Sequence, residues 1–107
     1  MQKYKEIYCR FFDYTRADVI PCEVCKHDFL KNQTGVINEA VDIHHLSPRA
    51  MGGAAGNTIR DTQHYKDYPE NLMALCRRHH MEAEDRPAFN KVCRVIHLKA
   101  IIKKLEE

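Results

Sequence analysis

The sequence predicts an α+β fold: a small core of two short strands and a helix, flanked by an N-terminal and a C-terminal helix. Three observations predict it. Apolar residues recur at spacings of three and four near both ends of the chain. Between them, β-branched residues run from Val36 into the pair His44-His45. Finally, two residue pairs of metal-ligand type, Cys22/Cys25 and Cys76/His79, each enclose two residues.

The elements follow in order. Tyr4, Ile7, Tyr8, Phe11 and Phe12 form one helical stripe over about residues 2–14, a face for core packing. Pro21 interrupts the chain just before Cys22, because the residue ahead of a proline is pushed toward extended conformations. The segment Cys22-Glu-Val-Cys25 reads as a tight knuckle, and V-I-N-E-A-V-D-I-H-H from Val36 to His45 reads as a strand. Ser47-Pro48 and Gly52-Gly53 then break it, so residues 46–70 read as a long loop. Asn71-Leu-Met-Ala-Leu is the second strand, and Cys76 to about Glu84 is a helix. Pro87 stops that helix and opens the next, residues 88–105, with Phe89, Val92, Cys93, Ile96, Ala100 and Leu105 as its stripe.

The 107 residues make a single domain, and 44% apolar with 30% charged residues is an ordinary globular composition. No apolar run approaches the roughly 20 residues that span a bilayer, so no membrane is expected. Charges in Met1-Gln-Lys-Tyr-Lys-Glu are unlike a secretory leader, and the expected location is cytoplasmic. A net charge of +2 does not by itself argue for nucleic acid. Lys91, Arg94, Lys99, Lys103 and Lys104 read as a solvated helix face, while Arg77 and Arg78 stand beside a histidine cluster.

Five cysteines cannot all pair in disulfides, and a reducing cytosol would not favour it. A C-x2-C and a C-x2-H pair together supply the four ligands of a closed tetrahedral structural Zn²⁺ site. Fifty residues separate Cys25 from Cys76, so the ion would staple distant parts of a small core. The competing readings are a redox C-x2-C pair or cysteines buried as small apolar residues. Cys9 and Cys93 lie on apolar stripes and read as core, and His27 as a solvated residue.

Zinc leaves histidines over. Adjacent helical residues point about 100° apart, so when His79 faces the zinc, His80 faces away toward the strand that ends at His44-His45. Three imidazoles are therefore expected around a second spot.

The runs D-I-H-H-L-S-P-R-A-M-G-G and N-L-M-A-L-C-R-R-H-H resemble the HNH endonuclease family, whose active centre is a ββα-metal finger. The resemblance covers about residues 20–84, placing one nuclease domain over 1–107 with helices about 2–14 and 88–105 outside the motif. It implies that His44 and His80 hold a catalytic divalent metal and that His45 is the general base. Asn71 is the middle residue of the motif, either steadying the loop that positions the base, the role favoured here, or touching the metal. Cys22, Cys25, Cys76 and His79 carry over to the structural zinc. The chain departs from the family pattern in three ways: His79 replaces the usual fourth cysteine, Met81-Glu-Ala-Glu84 replaces an often basic stretch, and the loop between the strands is long.

The chemistry can be argued beside the resemblance. Hydrolysis of a phosphodiester requires an activated water and compensation for charge developing on phosphoryl oxygens. A neutral histidine can take the proton, and a divalent cation with open positions can supply the charge. Imidazole ligands favour Mn²⁺, with Co²⁺ and Ni²⁺ also suited, over Mg²⁺. Asp42 either orients His44 or is a solvated strand residue. Arg49, Arg60, Lys66, Arg77 and Arg78 are possible phosphate contacts or plain surface residues, and Tyr65 and Tyr68 stack on bases or pack the loop. His64 is a minor ligand possibility.

The expected function is thus a metal-dependent DNA endonuclease acting on double-stranded DNA with little sequence specificity. One centre cuts one strand, so a monomer is expected to nick, while a double-strand break would require two successive nicks or a homodimer, for which the helix around Ile101 and Ile102 could supply the contact. The alternative is a non-catalytic zinc module for nucleic acid or protein recognition; metal storage or redox sensing is a third class.

Overall fold

The computed structural model describes residues 3–47 and 67–107. Helix α1 (Lys3–Phe11) is followed by α2 (Glu23–Asn32), β1 (Asp42–His45), a 3-10 turn (Pro69–Asn71), β2 (Leu72–Leu75), α3 (Arg77–Asp85) and α4 (Pro87–Leu105). The α+β class holds for the described residues, and both flanking helices lie where the apolar spacing puts them.

The two strands pair antiparallel, Asp42 opposite Leu75 and His45 opposite Leu72. Successive strand residues point to opposite faces, and β2 shows the consequence. Leu72 and Ala74 pack with Tyr8, Ile7, Phe12 and Ile43 on the α1 side. Met73 and Leu75 pack with Val24, Cys76, Ala83, Cys93 and Ile96 on the side of α2, α3 and α4. Every residue of β2 is buried, and each large apolar side chain so placed contributes about 1.5–3 kcal/mol. The sheet is therefore a thin partition between two small apolar clusters.

Two elements differ from the sequence expectation. The first strand is regular only over Asp42–His45, not from Val36. Strand propensity needs a partner, and β2 offers one for four residues only. Upstream, a single bridge joins Pro21 to Glu39, with Cys22 and Ala40 donating N–H bonds to Asn38 and Ile20, and Val36 remains exposed. The second difference is α2, which continues the knuckle as a ten-residue helix. It starts with the Lys26 N–H bonding the Cys22 carbonyl at 3.0 Å and ends at Gln33, whose left-handed backbone (φ 58°) closes the last turn onto Phe29.

No helix among the described residues is long and apolar enough to cross a membrane.

Candidate functional site

The two short-spaced pairs converge. Cys22 immediately precedes α2 and Cys25 lies in its first turn; Cys76 precedes α3 and His79 lies in its first turn. Both pairs thus come from the same device, a helix start that turns residues i and i+3 to one side. Their four ligand atoms lie within 4.8 Å of one another and all four residues are buried. His79 Nδ1 is 3.4 Å from Cys22 Sγ, 3.6 Å from Cys25 Sγ and 3.4 Å from Cys76 Sγ. A tetrahedral ion with bonds of about 2.3 Å needs ligand atoms about 3.7 Å apart, so the donor set fits a structural metal such as zinc.

The environment is consistent with that use. Burial pushes the Cys22 thiol up to about 12, so a thiol there keeps its proton until a cation replaces it. At Cys76 burial also raises the value, but the His79 backbone N–H and the contacts of Cys22 and Cys25 outweigh it, and the thiol falls below its ordinary range. Burial, aided by Arg78, lowers His79, favouring the neutral imidazole that a metal requires. Cys9 and Cys93 are buried, as their apolar stripes predict, and neither is among the four grouped ligands, though Cys93 packs in the same apolar cluster as Cys22, Cys25 and Cys76.

His80 turns away from the cluster and meets His44, with ring centroids 5.1 Å apart. Each imidazole is anchored by one nitrogen. Asn90 on α4 donates its amide to the Leu46 carbonyl at 3.0 Å, which turns its Oδ1 toward His44 Nε2 at 2.7 Å. His44 therefore donates through Nε2 and keeps the lone pair on Nδ1. His80 donates through Nδ1 to Asp42 Oδ2 at 2.9 Å, and its Nε2 lies 3.7 Å from Glu84 Oε1 one helical turn on. Asp42 thus orients His80 and not His44, because the strand face it shares with His44 looks onto α3. Burial is the main cause of a lowered His44 value, reinforced by His80 and opposed by Asn90, so this ring is neutral at physiological pH.

His45 does not join the other two rings on one face. As the next strand residue it points to the α1 side, where its ring meets Tyr4 edge-on at 4.8 Å. Its Nε2 donates to Asp67 Oδ1 at 3.0 Å, leaving the lone pair on Nδ1. Asn71 is buried and clamps the backbone beyond the histidines: its Oδ1 accepts the Ser47 N–H at 2.8 Å and its Nδ2 donates to the Ser47 carbonyl at 3.0 Å. Leu46 N–H also reaches the Asn71 carbonyl at 3.0 Å, and Arg94 Nη2 donates to Ser47 Oγ at 2.8 Å.

Arg77 Nε lies 3.7 Å from Asp42, and His27 is in α2 beside Asp28, away from the ligands. Arg49, Arg60, His64, Tyr65 and Lys66 lie outside the described residues. Sequence reasoning missed Asp67 and Asn90, whose partners are distant in the chain. It also missed a buried network: Glu23, inside the C-x2-C pair, bonds His97 Nδ1 at 2.7 Å, the Tyr8 hydroxyl at 2.7 Å and the Ala74 N–H at 3.0 Å. His97 Nε2 donates to the Pro69 carbonyl at 2.6 Å. The available signal was a histidine in register with Cys93 and Ala100 on an otherwise apolar stripe.

No family model, curated protein or solved structure matches the chain.

Proposed function

We propose that the chain is a divalent-metal-dependent DNA endonuclease of HNH type, stapled by zinc at Cys22, Cys25, Cys76 and His79. The observation that carries the proposal is the facing pair His44 and His80, with His44 Nε2 anchored on Asn90 and His80 Nδ1 anchored on Asp42, which leaves His44 Nδ1 and His80 Nε2 as the nitrogens to hold a metal. Imidazoles that donate one N–H to an oxygen while offering the second nitrogen are arranged as metal ligands are. Glu84 adds a negative oxygen near the same His80 nitrogen, which favours a cation there.

When bound, a divalent ion at this pair supplies positive charge against the phosphoryl and leaving oxygens. The protein's own groups do the rest. His45 is the general base, its proton fixed on Nε2 by Asp67 so that Nδ1 accepts the proton of the attacking water. Asn71 positions that base through the Ser47 backbone. One such centre per chain makes a nick the elementary event.

The test is a supercoiled-plasmid assay of the zinc-loaded chain with added Mn²⁺ or Mg²⁺, beside His45→Ala. Open-circle product from the parent, faster in Mn²⁺, with at least a hundredfold loss in the variant, is the expected result. No cleavage by folded, zinc-loaded parent in either metal would reject the enzyme and leave a zinc module that binds without cutting.

A further inference from the structure

β1 pairs with β2 on one side only among the described residues, and its other edge opens into a cleft of about 540 Å³. The cleft runs between the first turns of α1 and the start of α3, with Val41, Asp42 and Ile43 along its floor and His80 in its wall. It therefore reaches His80, whose ring centroid lies 5.1 Å from that of His44. Two cations line it, Lys5 on α1 and Arg16 in the turn that follows α1; both are exposed, and neither makes an ion pair among the described residues.

The acids of the cleft are mostly engaged. Asp18 accepts the Thr15 N–H at 2.6 Å and its hydroxyl at 3.1 Å. Asp42 is held by His80 and approached by Arg77. Glu39 alone is exposed without a side-chain partner among the described residues. Two exposed cations without ion pairs among the described residues, in a cleft where Asp42 is engaged by His80 and Arg77 and Asp18 by hydrogen bonds, offer contacts to a ligand with repeated negative charge, with Glu39 opposing it.

We infer that this cleft binds the sugar-phosphate backbone of the DNA strand being cut, with Lys5 and Arg16 as phosphate contacts flanking the His44–His80 pair. The inference rests on the endonuclease proposal for its ligand, yet it is read by binding alone. Contacts of this kind hold register on the duplex and carry no sequence information, which fits an enzyme of little specificity.

The experiment is fluorescence anisotropy of a labelled DNA duplex with the full, zinc-loaded chain, across salt concentrations and without added catalytic metal. Lys5→Ala/Arg16→Ala is compared with Lys99→Ala/Lys103→Ala, which removes the same charge from the exposed face of α4. The cleft variant is expected to bind about tenfold more weakly near 0.1 M salt and to lose about two from the slope of log K against log salt. The α4 variant should stay within about twofold of the parent, and Glu39→Gln should bind more tightly. Equal losses in the two double variants, an unaffected cleft variant, or a parent that does not bind would each overturn the inference. Cleft-dependent binding without cleavage would retain it while rejecting the nuclease; cleavage that survives Lys5→Ala/Arg16→Ala unchanged would do the reverse.

Discussion

Nε2 of His45 lies 3.0 Å from Oδ1 of Asp67, a residue 22 positions further along the chain. The contact fixes which imidazole nitrogen carries the proton, and so which can accept one. If the chain nicks DNA as proposed, Asp67→Ala should lower that rate about 10–100-fold, as loss of a supporting carboxylate generally does, with little change in zinc content. Single-turnover cleavage measures the first and elemental analysis the second. An unchanged rate would remove Asp67 from the mechanism.

The Cys/His cluster makes a separate prediction about stability. The chain should bind one zinc, and chelation or Cys25→Ala should destabilise it by several kcal/mol, since an ion at these four residues would join the starts of α2 and α3. Cys93→Ala should keep its zinc, because that thiol packs in the same apolar cluster but is not one of the four grouped ligand atoms. Metal content and thermal melting of the two variants separate these cases.

The lowered His44 value sets the sign of a pH dependence. In the unfolded chain this imidazole takes up a proton near its ordinary 6.5, while in the folded chain, where burial disfavours the cation, it does so only at lower pH. Its contribution is whole above about pH 6.5 and is lost as pH falls from there through the folded value. With zinc retained, Tm should drop more between pH 7.5 and 5.5 in the parent than in His44→Gln. Parallel curves would contradict it.

His97 is fully buried and has an oxygen acceptor on each ring nitrogen. Removing one member of a buried charged pair strands the other, so His97→Leu should cost about 3–5 kcal/mol in urea unfolding. Adding Glu23→Gln to that variant should recover part of the loss, because the stranded carboxylate becomes neutral.

What the sequence made legible was local. A two-residue spacing before a helix start is a property of a few adjacent positions, so Cys22, Cys25, Cys76 and His79 announce a common site despite the 54 positions between Cys25 and His79. The stripes of α1 and α4 are equally local. Helix α2 carries no such stripe: Phe29 and Leu30 are partly exposed, and its packing comes from the cysteine-bearing first turn. The β-branched run before Asp42 expressed a preference whose fulfilment depended on the length of a strand elsewhere. Asn90, Asp67 and the Glu23–His97 pair were hidden because hydrogen bonds between residues 22 to 74 positions apart leave no period to detect. The same holds for the opposite faces of His44 and His45: alternation was implied by the strand, but the neighbours on each face were not.

The partition of paired features around the segment between Ser47 and Asp67 has a further consequence. Two metal ligands, one strand and the His44-His45 dipeptide precede it, while two ligands, the other strand, Asp67, Asn71, His80 and Asn90 follow it. Neither half holds a complete centre. With zinc held at those four residues, a chain severed there would become two complementary fragments whose reassembly would be a zinc-dependent heterodimerisation, and co-expressed halves should copurify with one equivalent of the metal and regain whatever activity the intact chain has.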